Sequence, residues 1–167
     1  MKIWLDIDGV CLDFGPHYLA YLGFEDQTPA KDWKDPRFVN HFYKIAKDEE
    51  FWLGIPPLIR EIPFEFEGYC TARPIDTSVT EKSLEICKLP KKKIITVGHN
   101  VSKVEALKEV GCTHFLDDAY HNFEELNNNG IDCYLMSRSH NLHLDAGEKR
   151  VSSLKEFKEK IGLVECI

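Results

Sequence analysis

Five short apolar runs set the frame of this chain: residues 2–7, 66–71, 93–98, 113–117 and 132–136. Each is too short for a helix and has the length of a buried strand. Helix start and stop signals lie between them. Ser102 with Glu105 predicts a capping box ahead of Val104, Leu107 and Val110, and Gly111 ends the run. Asn122 with Glu125 repeats the arrangement before Gly130. Ser153 with Glu156 does so again, with Leu154, Phe157 and Ile161 on one face and Gly162 at the stop. Strands that alternate with helices pair in parallel through right-handed crossovers. The expected fold is therefore an α/β sandwich, an open parallel sheet with helices on both faces and a ligand site at the carboxyl ends of its strands.

One segment breaks the rhythm. Residues 15–60 are rich in aromatics, including Tyr18, Tyr21, Phe24, Trp33, Phe38, Phe42, Tyr43, Phe51 and Trp52, and are punctuated by Pro16, Pro29, Pro36, Pro56 and Pro57. This reads as a small, mostly helical cap inserted after the first strand. The expected organisation is a core of residues 1–14 and 61–167 interrupted by a cap of residues 15–60. A chain of 167 residues suits one core with such an insertion.

Charge and cysteine spacing exclude several function classes. The formal net charge of -7 speaks against a general nucleic-acid surface. The basic run Lys91–Lys93 reads as the solvated start of a strand. Cys11, Cys70, Cys87, Cys112, Cys133 and Cys166 form no CxxC pair and no Cys/His spacing, so they read as reduced core thiols, not as a zinc site or a disulfide framework. The amino-terminal stretch has Asp6 where a signal peptide needs an apolar core, and no run approaches a membrane span. An intracellular, cytoplasmic protein without membrane partners is expected.

The chemistry-bearing residues fall at strand ends. Asp6 and Asp8 flank Ile7 at the end of the first run, with Gly9 next. Residues two apart on a strand point the same way, so two carboxylates converge and repel unless a cation lies between them or one is protonated. By itself Asp-Ile-Asp-Gly is also an ordinary turn after a strand. Three further strand ends add to it. Thr71 closes the second run, where its hydroxyl and the next backbone amides, Ala72 first, suit phosphate oxygens. Lys103 opens the helix after the third run, and Asp117 and Asp118 close the fourth with hard oxygen donors for a divalent cation.

This order resembles the haloacid dehalogenase (HAD) superfamily, with DxDG first, a strand-end Thr or Ser second, a Lys third and paired acids fourth. The resemblance covers roughly residues 2–136. Within the superfamily, DIDGVCLDF, FWLGIPPL and FLDDAYHNFEEL are similar to the 5'(3')-deoxyribonucleotidase family, as are Ser139-His140-Asn141 and Arg150-Val151-Ser152-Ser153. The resemblance implies a HAD-like Rossmannoid three-layer sandwich acting as a phosphatase on (deoxy)nucleoside monophosphates. It implies that Asp6 is the nucleophile, becoming an aspartyl-phosphate, and that Asp8 is the general acid/base. It implies Mg2+ held by Asp6, the backbone carbonyl of Asp8 and Asp117, with Asp118 as a further ligand or its support, and phosphate held by Thr71, Ala72 and Lys103.

Substrate choice is expected to rest on the cap. Phe14, Phe51 and Trp52 either stack on a nucleobase or glue the cap to the core, and Arg73 follows Thr71 closely enough to touch substrate. His99, Tyr120 and His121 also adjoin the motifs. The partner is expected to be a small phosphomonoester, with the oligomeric state open, a homodimer included. Two alternatives stand beside the nucleotidase. One is a phosphatase for another small phosphomonoester. The other is a non-catalytic phosphate-binding scaffold or receiver module, although receivers place their acid pair first and their acceptor Asp on a later strand.

Overall fold

Side-chain alternation along the first strand, β1 (Ile3–Leu5), decides the layering, because Ile3 and Leu5 enter one buried cluster while Trp4 enters another. The computed structural model describes residues 1–163. Its remaining strands are β2 (Gly68–Thr71), β3 (Lys93–Thr96), β4 (His114–Asp117), β5 (Asp132–Met136) and β6 (Arg150–Val151). All pair in parallel in the order β3-β2-β1-β4-β5-β6.

Helices cover both faces of this sheet. On one side α4 (Thr77–Ile86) and α7 (Leu154–Lys160) place Val79, Leu84, Leu154 and Phe157 against Leu5, Tyr69, Leu116 and Tyr134. On the other, α5 (Val104–Glu109) and α6 (Tyr120–Asn128) pack Val104, Leu107 and Leu126 against Trp4, Cys70, Phe115 and Cys133. The result is the three-layer α/β sandwich expected from the alternation of runs.

The stretch between β1 and β2 carries α1 (Phe14–Tyr21), α2 (Pro36–Val39), a 3-10 turn (Phe42–Lys44) and α3 (Glu49–Leu53). Phe14, Tyr18, Phe38, Phe51 and Trp52 join the same buried cluster as Leu5 and Tyr69, so the insertion and the sheet share one core. The Ser83 hydroxyl of α4 donates to the Trp52 carbonyl of α3 at 3.0 Å, and the Asp13 amide donates to the Pro56 carbonyl at 2.8 Å.

Chain direction places the site. From β1 the chain moves outward to β2 and β3, then returns to lay β4 on the opposite side of β1. A crevice opens at such a reversal, outside the carboxyl ends of the two central strands. Leu5 pairs with Leu116, so the next residues, Asp6 and Asp117, emerge side by side.

Several local expectations change. Helix α6 begins at Tyr120, before the expected cap Asn122; its N-cap is Ala119, no side chain caps it, and the Asn122 amide is drawn instead to the Asp117 carboxylate at 2.9 Å. The Ser102 hydroxyl accepts from the Val104 amide at 3.2 Å instead of from Glu105. At α7 Ser153 accepts from the Glu156 amide at 3.1 Å as expected, while the Glu156 carboxylate accepts from the Ser152 amide at 2.7 Å, one residue before the cap. Strand β6 has no counterpart among the apolar runs. Cys11, Cys70, Cys112 and Cys133 are buried free thiols and Cys87 is a half-buried one, whereas Cys166 lies outside the described residues. Among the described residues no helix is long and apolar enough to cross a membrane.

Candidate functional site

Two strand ends and one helix start deliver carboxylates and an ammonium to one point. The Lys103 Nζ, ahead of α5, lies 2.9 Å from the Asp6 Oδ1 and 2.7 Å from the Asp117 Oδ2. Lys103 is 2% exposed. Burial opposes its charge, yet the carboxylates of Asp117 and Asp6 hold the ammonium above the ordinary lysine range. Burial also pushes the Asp6 carboxyl well above its usual range, Lys103 pulling it down and the neighbouring carboxylates of Asp117, Asp118 and Asp8 pushing it further up.

The paired acids differ in role. Asp117 is fully buried; its Oδ2 accepts from Lys103 and from the Asn122 amide at 2.9 Å, and its Oδ1 accepts from the Ala119 amide. Asp118 lines the cavity described below, while Asp117 does not. The Asp118 Oδ2 lies 3.0 Å from the His140 Nε2, and its carboxyl is raised chiefly by burial against the pull of that histidine. The Asp118 carbonyl accepts from the Asn141 amide at 2.8 Å.

Asn141 is fully buried and uses its whole side chain. It also donates to the Met136 carbonyl at 2.8 Å and accepts from the Arg138 amide at 3.1 Å and from the Arg150 guanidinium at 3.0 Å. The Arg138 Nε donates to the Gly9 carbonyl at 2.6 Å. The segment after β5 thus ties the turn after β1 to the acid pair after β4. Burial lowers the Arg138 guanidinium from its ordinary range, with Asp118 and Asp13 acting the other way.

Oxygens of Asp6, Asp117 and Asp118 converge within 4.8 Å of one another. Around them Asp6, Asp8, Asp117 and Asp118 face Lys103, Arg73 and Arg138, with His140 beside Asp118, so the carboxylates outnumber the lysine and arginine charges by one when all are ionised. Hard oxygen donors with that surplus fit a divalent cation such as Mg2+.

Gly9 sets how closely the two sides of the crevice approach. Its φ is +79°, and a Cβ there would sit 1.9 Å from the Asp118 Oδ2. Gly9→Ala must displace that carboxylate and strain the turn. An expected loss of about 2 kcal/mol and weaker cation binding are checked by urea unfolding and by Mg2+ titration of thermal stability.

A cavity of about 790 Å³ opens over these groups. Asp6, Asp8, Thr71, Ala72, Arg73, Lys103 and Asp118 line its floor, and Trp33, Phe42 and Trp52 from the insertion and Phe14, His99 and His121 from the core line its walls. Every expected nucleophile, acid/base and phosphate-binding residue is therefore gathered on one surface. Phe51 is the exception among the expected cap contacts. It is fully buried against Phe14, Tyr18 and Trp52 and is not part of the lining, which is the packing alternative of the two readings of this residue. Tyr120 turns away too, donating to the Asp145 carbonyl at 2.9 Å. At the rim the Phe42 and His99 rings stack with centroids 4.4 Å apart, and Trp33 lies 4.3 Å from the His140 ring.

Asp8 has a partner the sequence did not announce. Arg73 donates to it from both Nε and Nη2 at 2.7 Å. The other partners missed from sequence are Asn122, Arg138, His140 and Asn141. For Arg138, His140 and Asn141 the signal was the polar segment 137–141 directly after an apolar run; Asn122 was read only as a helix cap.

No protein-family model matches the chain, and no curated protein sequence does. Among solved structures, the crystal structure of an L-2-haloacid dehalogenase superposes with a TM-score of 0.63 at 10% identity, covering 96% of this chain and 98% of that one. The likeness establishes the fold: a HAD-like Rossmannoid α/β sandwich around a central parallel sheet.

Proposed function

We propose that the chain is a Mg2+-dependent phosphomonoester hydrolase working through an aspartyl-phosphate on Asp6, with nucleoside monophosphates as the favoured substrate class. The observation that carries this reading is the meeting of Asp6, Asp8, Thr71, Lys103 and Asp118 on one cavity floor at the reversal point of the sheet. Such a set supplies a nucleophile, an acid/base, phosphate-oxygen partners and cation-binding carboxylates together.

In the first displacement an Asp6 oxygen forms a bond to phosphorus as the ester P–O bond breaks, and Asp8 gives its proton to the departing oxygen. In the second, Asp8 takes a proton from water as that water attacks phosphorus, and the acyl-phosphate bond breaks to restore Asp6. Lys103 offsets the repulsion between Asp6 and the phosphoryl oxygens, and the Thr71 hydroxyl and adjacent amides orient them. Asp6, the backbone carbonyl of Asp8 and Asp118 would hold the cation, which supplies charge neutralisation. Asp117, with both oxygens already hydrogen-bonded and no share in the cavity lining, would hold Lys103 in place.

The nucleotide preference rests on the family resemblance and on the cavity wall. Trp33, Phe42 and His99 offer ring faces above the phosphate site, and the volume accommodates a mononucleotide. Another small phosphomonoester of similar size is the second reading. The test is inorganic phosphate release from 2'-, 3'- and 5'-nucleoside monophosphates, sugar phosphates and p-nitrophenyl phosphate, with Mg2+ and with excess EDTA. The expected result is activity strongest on nucleotides and abolished by EDTA. Turnover of p-nitrophenyl phosphate alone removes the nucleotide preference. Halide release from 2-haloalkanoates without phosphate release would overturn the phosphatase reading, and silence on every substrate would favour a binding scaffold.

A further inference from the structure

Arg73 is 2% exposed, and its burial is organised around Asp8. The guanidinium meets both carboxylate oxygens of Asp8 in parallel at 2.7 Å, from Nε to Oδ2 and from Nη2 to Oδ1. A fork of this kind fixes the plane of a carboxylate as well as its distance. The guanidinium is itself held from the other side. Its Cζ lies 5.0 Å from the centroid of the Trp52 ring in α3, within cation–π range. Trp52 is anchored in turn, its indole nitrogen donating to the Ile45 carbonyl at 2.9 Å and its ring stacking on Phe14 with centroids 5.9 Å apart.

Among the described residues the guanidinium has no further hydrogen-bond partner. Arg73 Nη1 is buried without a hydrogen-bond partner among the described residues. A buried donor without a partner costs free energy. The conformation that accepts this cost is the one that presents Nε and Nη2 to Asp8. The insertion, the second strand and the acid/base residue therefore form one column: Trp52, Arg73, Asp8.

We propose that Arg73 is a positioning residue for Asp8, clamped by Trp52 of the insertion, and that it does not bind substrate. The proposal rests on the phosphatase reading above. It stands against the expectation that Arg73 touches substrate, and it gives the insertion a part in proton transfer. Each Asp8 oxygen keeps a second lone pair outside the fork, through which it can meet the leaving group while both oxygens stay hydrogen-bonded to Arg73.

General-acid assistance matters for a poor leaving group and little for a good one. The experiment compares Arg73→Met with the unaltered chain on p-nitrophenyl phosphate and on an alkyl phosphomonoester or nucleoside monophosphate. The expected result is a fall in kcat of about 100-fold on the poor leaving group, less than about 10-fold on p-nitrophenyl phosphate, and little change in KM. Asp8→Asn with Arg73→Met should then lose no more on the poor leaving group than Asp8→Asn alone. Equal losses on both substrates, or additive losses in the double variant, would overturn the proposal in favour of a merely structural arginine. A raised KM at unchanged kcat would make Arg73 a substrate ligand and overturn it equally. Arg73→Lys keeps the charge without the fork and carries the same test if Arg73→Met does not fold. No phosphate release by the unaltered chain overturns the phosphatase reading and this proposal with it; selective failure in an active parent overturns the proposal alone.

Discussion

Asp6→Asn is expected to give a folded protein whose phosphate release falls at least about ten-thousandfold. The amide matches the carboxylate in size, so the backbone after β1 and its bond from the Asp6 amide to the Leu116 carbonyl at 2.9 Å need not move. The amide oxygen still accepts from Lys103, which lies 2.9 Å from the present Oδ1. What disappears is an anionic oxygen able to bond to phosphorus. Stability should not fall with activity. Burial already pushes the Asp6 carboxyl well above its ordinary range, which means that its charged form is disfavoured in the folded site. Without added cation, the thermal midpoint of Asp6→Asn should equal or exceed that of the unaltered chain. Phosphate assays and paired thermal melts check both halves. Near-normal turnover in the purified variant would sink the covalent route, and a large drop in midpoint would mean that lost structure explains the lost activity.

The layering and the site's floor were legible in the sequence for one physical reason. Buried parallel strands require unbroken apolar runs, so their ends are sharply marked, and Asp6, Thr71 and Asp117 stand at those ends. Strand β6 was not legible because its two residues, Arg150 and Val151, are too few to show a period, and its arginine reaches back to Asn141. The start of α6 was misread because Asn122 looks like a cap in sequence, whereas the helix starts two residues earlier without a side-chain cap and Asn122 donates to the Asp117 carboxylate. Phe51 and Trp52 show the same limit more clearly. They are adjacent and both aromatic, but on a short helix they point in different directions, so Trp52 borders the cavity while Phe51 fills the insertion. Pairings between distant segments, such as Arg73 with Asp8 and His140 with Asp118, depend on strand order, which apolar runs do not encode.

Lys103→Met should be the most destabilising single change at this site. The side chain is fully enclosed, 2.7 Å from Asp117 and 2.9 Å from Asp6, with its ammonium 5.1 Å from the Phe115 ring centroid. Methionine fills much of the volume but leaves two buried carboxylates without their cation. Breaking a buried pair in this way costs about 3 to 5 kcal/mol. The size of the loss should depend on pH in a definite direction. A carboxyl held above its unfolded range, as Asp6 is, binds more protons folded than unfolded, so its contribution to stability falls as pH rises between the two titrations. Removing Lys103 deletes the group that pulls Asp6 down, which enlarges this effect. The deficit of Lys103→Met should therefore be largest near pH 8 and shrink toward pH 5, where protons replace the missing charge. Mg2+ should replace it as well, and more effectively at the higher pH, because protons compete with the cation for Asp6 and Asp118. Urea unfolding at both pH values, with and without Mg2+, separates the causes. A deficit that ignores both pH and cation would mean that the lysine contributes packing alone, whereas one relieved by either would identify it as the fixed counter-charge on which the carboxylate cluster is built.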